Sequence, residues 1–310
     1  MQVKILGSAA GGGFPQWNCV CANCSRLRAG ALHGQSRTQA QLSLSLGPDQ
    51  WCLVNASPDL RAQIEATPEL HPGRPAQGRS SPIAAVVLTN GDLDHTLGLL
   101  LLREFQPLEI YATPSVHRIL TQENSFFRML QRVKPQAVWH DIGLGDAFHV
   151  STDTQESARF QPIPLSGRFP EYVSAELKGE LPASEAVFAL EIQVMPSGKK
   201  LIYCPGLPQI SEDLLARFAS CDLLLLDGTF WSDDELVRLA GASRGATQMG
   251  HVPISGDGGS LETLRAVTRP KKIYTHINNT NPILDEDSAE FAQVTSAGWT
   301  VAHDGMSFNL

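Results

Sequence analysis

Short runs rich in β-branched and apolar residues recur along the chain, at Val3 to Leu6, Gln41 to Leu46, Trp51 to Asn55, Ile83 to Thr89, Val187 to Val194, Lys200 to Cys204, Leu223 to Leu226 and Lys272 to Thr275. Bounded by polar and turn-forming residues, they read as strands. Between them the apolar positions take a helical period over Leu97 to Phe105, Pro114 to Gln122, Ser211 to Ala219, Asp233 to Ala240, Ser260 to Val267 and Glu286 to Ala297. Several of these segments open on Ser, Asp or a first-turn Pro, as helices do. Strands and helices mixed along the whole length predict α/β layers.

Two stretches break the alternation. Pro72 to Pro82 (PGRPAQGRSSP) reads as an exposed loop within a domain, because strand and helix resume after it without a shift in composition. Residues 151–185 carry scattered Pro and Gly with weak periodicity, which predicts long loops of the kind that surround binding sites.

Composition narrows the class. A chain of 310 residues with 42% hydrophobic content can fill one large α/β domain or two smaller ones, which excludes a disordered or fibrous protein. The formal charge of -8 comes from 32 acidic and 24 basic residues without a Lys/Arg-rich stripe, so nucleic acid is not an expected partner. No stretch reaches the ~18 apolar residues of a membrane span, and the apolar core at Val3 to Leu6 is too short for a signal peptide. The expected location is cytoplasmic, with no membrane partner. The six cysteines, three of them clustered at Cys19, Cys21 and Cys24, suggest metal rather than a disulfide framework.

The candidate chemistry lies where strands end. In open α/β sheets ligands gather outside the carboxyl ends of strands. Here Ile83 to Leu88 runs into Asp92, Asp94 and His95, Cys221 to Leu226 runs into Asp227, and Lys272 to Thr275 runs into His276. A further imidazole, His251, stands in a polar loop. One Asp at a strand end is ordinarily a helix cap or turn former, and one loop His ordinarily a surface group. Three strand ends supplying Asp-x-Asp-His, Asp and His together point to metal.

These positions resemble the metallo-β-lactamase superfamily, whose first motif is His-x-His-x-Asp-His after a strand. Asn90 and Asp92 occupy the two leading His positions, while Asp94 and His95 match; Asp227 matches the later bridging Asp, His276 the final His, and Asp304-Gly305-Met306 the closing Asp-Gly-Met. The intermediate His is absent, with Ser166 its nearest occupant. More narrowly, LGSAAGGGFPQWNCVCANC, LTNGDLDHTLGLLLLREF, GHVPISG and THINNTNP are similar to the family of coenzyme pyrroloquinoline quinone (PQQ) synthesis protein B, over nearly the full length. The resemblance implies a metallo-β-lactamase-like αββα sandwich, one domain over residues 1–310 with a Cys-rich zinc loop at about 11–26.

The departures carry chemistry. A dinuclear zinc hydrolase activates water between two metals whose first shell is largely imidazole. Asn90 is a weak neutral ligand and Asp92 a hard anionic one, so that pair is not expected to assemble. Asp94, His95 and His276 remain, two imidazoles and a carboxylate with open positions, the ligand set of non-haem iron(II) oxygenases. Asp92 or Asp227 could add a carboxylate, and His251 could bind metal or move protons.

Cys19, Cys21 and Cys24 can turn three thiolates on one structural zinc ion, with Asn279 as the candidate fourth ligand. Cys52, Cys204 and Cys221, in apolar strands, read as core. Arg168 could anchor a substrate carboxylate or be a solvated loop arginine, and Tyr172 and Trp17 are candidate pocket walls. The expected activity is iron(II)- and O2-dependent hydroxylation of the Tyr ring in a Glu-Tyr-derived intermediate, a small molecule or dipeptide, with other PQQ pathway enzymes as possible partners. A zinc hydrolase of the precursor peptide and a non-catalytic carrier of the finished quinone are the alternatives.

Overall fold

The computed structural model describes residues 1–73, 78–104, 106–133, 136–150 and 158–310. Its strands are β1 (Gln2–Gly7), β2 (Gln41–Gly47), β3 (Gln50–Val54), β4 (Ile83–Val87), β5 (Leu108–Ala112), β6 (Ala137–Asp141), β7 (Ala158–Leu165), β8 (Val187–Val194), β9 (Lys200–Cys204), β10 (Leu223–Asp227), β11 (Lys271–Thr275), β12 (Trp299–Val301) and β13 (Ser307–Asn309). The α-helices are α1 (Ala22–Arg28), α2 (Leu60–Glu65), α3 (Leu93–Thr96), α4 (Pro114–Arg118), α5 (Ala175–Glu180), α6 (Glu212–Ser220), α7 (Glu235–Ala240), α8 (Ala246–Met249), α9 (Ser260–Thr263) and α10 (Ala289–Ser296). No helix among the described residues is long and apolar enough to cross a membrane. The chain divides into two compact units.

The first unit comprises Met1–Leu6, Gln41–Lys199 and Gly305–Leu310. Its seven-stranded sheet has the order β13-β1-β2-β3-β4-β5-β6, antiparallel between β1 and β13 and between β2 and β3, and parallel from β3 to β6. Leu53, Val86, Leu88, Leu99, Ile110, Val116 and Phe127 are buried together in its core. The end of β4 is fixed by Asn55, whose φ of 67° lies in the left-handed region that Asn tolerates better than most residues. Its Oδ1 accepts from Thr89 N at 2.9 Å and Thr89 Oγ1 at 3.0 Å. Gly98 N donates to Ala56 O, and a Cβ at Gly98 would fall 2.2 Å from Ser57 O. Only glycine lets the segment after β4 press against residues 55–57.

The second unit comprises Gly7–Ala40 and Lys200–Asp304. Strands β9, β10, β11 and β12 lie parallel, with Leu224 opposite Ile202 on one side and Lys272 on the other. Every residue of β10 is buried, which is why Leu223 to Leu226 is continuously apolar rather than alternating. Ser211 and Ser288 cap α6 and α10, accepting from Leu214 N and Phe291 N.

Some expectations need correcting. Residues 158–185, read as loop, contain β7 and α5, while residues 151–157 lie outside those described. Pro162 and Pro164 hid β7, yet it pairs with β8 along its whole length, from Ala158 opposite Val194 to Leu165 opposite Val187. The helix expected over Leu97 to Phe105 is a tight 3-10 segment at Leu97–Leu102 that follows directly on α3, and Phe105 lies outside the described residues, as do 74–77 of the Pro-rich loop. The helix expected to Val267 is the single turn α9.

Candidate metal centre

In the first unit the chain leaves β4 through Thr89 and turns at Asn90 to Asp92 into α3. Asn90 is buried and its Oδ1 accepts from Asp92 N at 3.0 Å. A backbone N–H can only donate, so this contact fixes which amide atom is the oxygen. The same oxygen lies 2.9 Å from His95 Nδ1, which must therefore carry the proton. The basic nitrogen of His95 is then Nε2, 4.0 Å from Asp94 Oδ2. Backbone bonds hold the ring in place: His95 N donates to Asp92 O at 3.0 Å, and its carbonyl accepts from Ala56 N at 2.7 Å. The Tyr172 hydroxyl donates to Gly91 O at 2.5 Å, and burial together with the Asp92 carboxylate pushes its phenol well above the ordinary value.

In the second unit β10 and β11 deliver Asp227 and His276, and His251 follows α8. Ligand atoms of Asp227, His251 and His276 lie within 4.8 Å of one another. His276 has a φ of 56°, a backbone placement unusual for a non-glycine residue and common at working sites. Asp227 is fully buried and takes two hydrogen bonds on each oxygen. Thr229 N at 3.0 Å and Thr229 Oγ1 at 2.5 Å reach Oδ1; Leu207 N at 2.9 Å and His251 Nδ1 at 2.7 Å reach Oδ2. Four donors fill the acceptor capacity of a carboxylate. The His251 and His276 rings lie nearly parallel with centroids 5.7 Å apart, and Phe230 meets His251 edge-on.

The three clustered cysteines also converge in the second unit, with ligand sulfurs within 4.8 Å of one another. Cys21 precedes α1, and its Sγ accepts from Cys24 N at 3.5 Å while Cys19 Sγ accepts from Cys21 N at 3.4 Å. Burial opposes ionisation of Cys19, but hydrogen bonds from the Cys21 backbone, the neighbouring thiols and Asn279 outweigh it and lower its pKa. Cys21 is pushed up to about 11 by burial and by its neighbours' sulfurs, so three thiolates together call for a cation. Asn279 Nδ2 lies 3.1, 3.6 and 3.4 Å from the sulfurs of Cys19, Cys21 and Cys24. A half-turn of that amide would present Oδ1 to the same point, so the donor set suits a soft ion such as zinc. Asn23 Nδ2 holds this loop by the carbonyls of Asn279 and Asn281, at 3.2 and 2.9 Å.

The other expected residues range from exposed to fully buried. Arg168 is exposed beyond β7, as is Ser166. Trp17 is 86% exposed on the cysteine loop. Cys52, Cys204 and Cys221 are fully buried, as read. Asp304 is a brace: its carboxylate takes Thr38 N at 2.6 Å, Thr38 Oγ1 at 2.7 Å and Ser8 Oγ at 2.8 Å. The sequence reading missed Thr229, whose one visible signal is a hydroxyl two positions after a strand-end Asp.

Comparison with known proteins gives this geometry a family context. Residues 50–277 match the β-lactamase superfamily domain. The chain is 43% identical, over the full length of both, to coenzyme PQQ synthesis protein B of Nitrosococcus oceani and of Pseudomonas protegens, and 44% identical over the full length of both to that of Azotobacter vinelandii. The crystal structure of Zn(2+)-bound PqqB from Methylobacterium extorquens superposes with a TM-score of 0.89 at 40% identity, covering both chains entirely. A diphosphatase of the PhnP family, at 18% identity and a TM-score of 0.66, covers 100% of this chain and 97% of its own and shares the fold alone. The expected metallo-β-lactamase-like α/β sandwich is thus the class found.

Proposed function

The chain belongs to the coenzyme PQQ synthesis protein B family of the β-lactamase superfamily, and from that premise we propose that it hydroxylates the Tyr ring of a Glu-Tyr-derived intermediate, using iron(II), O2 and a two-electron reductant, so that one oxygen atom enters the ring and the other leaves as water. The coarser role, in PQQ biosynthesis, follows from the family. One observation carries the finer reading. Asn90, at a position where the superfamily motif has a metal-binding His, spends its side-chain oxygen on Asp92 N and His95 Nδ1. It orients a ligand instead of being one, so the imidazole shell of a dinuclear zinc hydrolase is not supplied.

In the proposed centre Asp94, His95 and His276 hold the ion, as the motif assigns them, and Asp92 stays beside Asp94 as a further carboxylate. The donor set fits iron(II): His95 offers the lone pair of Nε2 and Asp94 a carboxylate oxygen 4.0 Å from it. Iron(II), when bound, supplies the activation of O2. The chain's own residues do the rest. Asp227 fixes the His251 ring through Nδ1, which leaves Nε2 as the atom that gives or takes a proton. Arg168, exposed beyond β7, is assigned to a substrate carboxylate through its planar fork. Tyr172 holds the ligand loop through the Gly91 carbonyl.

Zinc, the metal named for the Methylobacterium extorquens relative, suits the Cys19, Cys21 and Cys24 cluster, which we assign to a structural ion with Asn279. Metal analysis of protein reconstituted without oxygen separates the readings. The proposal expects one zinc lost on Cys21→Ser and one iron lost on His95→Ala. Two zinc ions lost on His95→Ala would indicate a hydrolase, and no metal lost would indicate a carrier of the quinone.

A further inference from the structure

Thr229 sits at the crossing of four polar contacts in the second unit. Its Oγ1 lies 2.5 Å from Asp227 Oδ1, 2.9 Å from His276 Nδ1, 2.9 Å from the His276 carbonyl and 3.2 Å from His251 Nδ1. A hydroxyl has one hydrogen and two lone pairs. Two of the four neighbours, Asp227 Oδ1 and the His276 carbonyl, can only accept, so the single hydrogen belongs to them. The lone pairs then face the two ring nitrogens, which must donate. His251 Nδ1 is already a donor to Asp227 Oδ2 at 2.7 Å, consistent with that direction. By the same logic His276 carries its proton on Nδ1.

We infer that Thr229 is a positioning residue that locks His276 in its Nδ1–H tautomer and turns the basic Nε2 toward the metal. The inference rests on the reading of His276 as an iron ligand, but the tautomer itself does not require the ion. Asp227 thereby orients both imidazoles, His251 directly and His276 through the Thr229 hydroxyl, while its own oxygens stay occupied by four donors. This is the carboxylate-to-histidine arrangement that fixes ligand geometry at metal sites, here with a threonine inserted. Burial adds force: Thr229 is 3% exposed and His276 6% exposed, so little water is available to replace the hydroxyl.

The test uses the full chain, stripped of metal and labelled with 15N histidine, at a pH about 1.5 units above the ordinary imidazole value. Long-range proton–nitrogen correlation spectra report which nitrogen of each ring carries hydrogen. His276 and His251 are expected in the Nδ1–H form. Thr229→Ser should keep both. Thr229→Val, nearly isosteric, should release His276 to a mixture while His251, still on Asp227, keeps its tautomer. Iron(II) affinity should fall about 10- to 100-fold in Thr229→Val and return toward the parent value in Thr229→Ser. An Nε2–H tautomer for His276 in the unaltered protein overturns the inference without any variant. So does a folded Thr229→Val protein with unchanged tautomer and iron affinity. Neither result bears on whether the Tyr ring is oxygenated.

Discussion

His95 Nδ1 lies 2.9 Å from Asn90 Oδ1, an oxygen that also receives Asp92 N at 3.0 Å. The amide thereby converts a motif position that binds metal elsewhere in the superfamily into one that aims the neighbouring imidazole. Asn90→Ala should therefore weaken iron(II) binding about 10- to 100-fold, the usual cost of losing a partner behind a metal-bound His. Titration of iron into the stripped variant checks this. An unchanged affinity would mean that the backbone alone holds the ring.

Cys21→Ser should remove zinc and thermal stability together, because binding at a structural site is coupled to folding. Metal content and the melting temperature are read on the same sample. Loss of zinc with an unchanged melting temperature would separate the cluster from stability and remove its structural role.

Glu235 gives a stability signature that involves neither metal site. It is buried beside Thr280 Oγ1 at 2.5 Å and Trp231 N at 2.6 Å, and burial pushes its carboxyl up to about 7 despite those hydrogen bonds. The folded state binds this proton more tightly than the unfolded state does. Its contribution is complete below the unfolded value of 4.5 and is lost as pH rises through about 7. The difference amounts to at most about 3 kcal/mol. Glu235→Gln should flatten stability between those pH values, with Nε2 donating to the Thr280 hydroxyl. Denaturant melts across that range test it, and an equal slope in both proteins would contradict it.

The strand-end pattern was legible because each strand is short, apolar and stops on a polar residue. Asp94, His95, Asp227 and His276 were all singled out by that rule, and the cysteine cluster by spacing alone. Strands β5, β6, β12 and β13 escape the pattern because they are only three to five residues long and mix polar with apolar positions, as Glu109 does within Leu108 to Ala112. Strand β7 was missed because Pro162 and Pro164 read as breakers. Thr229 was beyond reach for a different reason: its role comes from four contacts to three residues, Asp227, His251 and His276, a relation that only folding creates.

His251→Ala and Arg168→Ala should divide the kinetics between them. Removing the imidazole held by Asp227 should lower kcat about 100-fold, within the usual range for a lost acid or base. Removing the exposed arginine should raise KM and spare kcat, since it is assigned to binding. Steady-state rates on the Tyr-containing substrate decide this, and the reverse split would exchange the two roles.

The central claim is oxygen insertion, and labelled O2 tests it most directly. The iron-loaded protein is incubated with a reductant and a Glu-Tyr-derived substrate under labelled O2, and under nitrogen in parallel. Mass spectrometry of the Tyr-containing product is expected to show label in the ring, with no turnover under nitrogen. Turnover that persists without O2, or a product carrying only solvent oxygen at a cleaved peptide bond, would contradict the hydroxylase and make the protein a hydrolase.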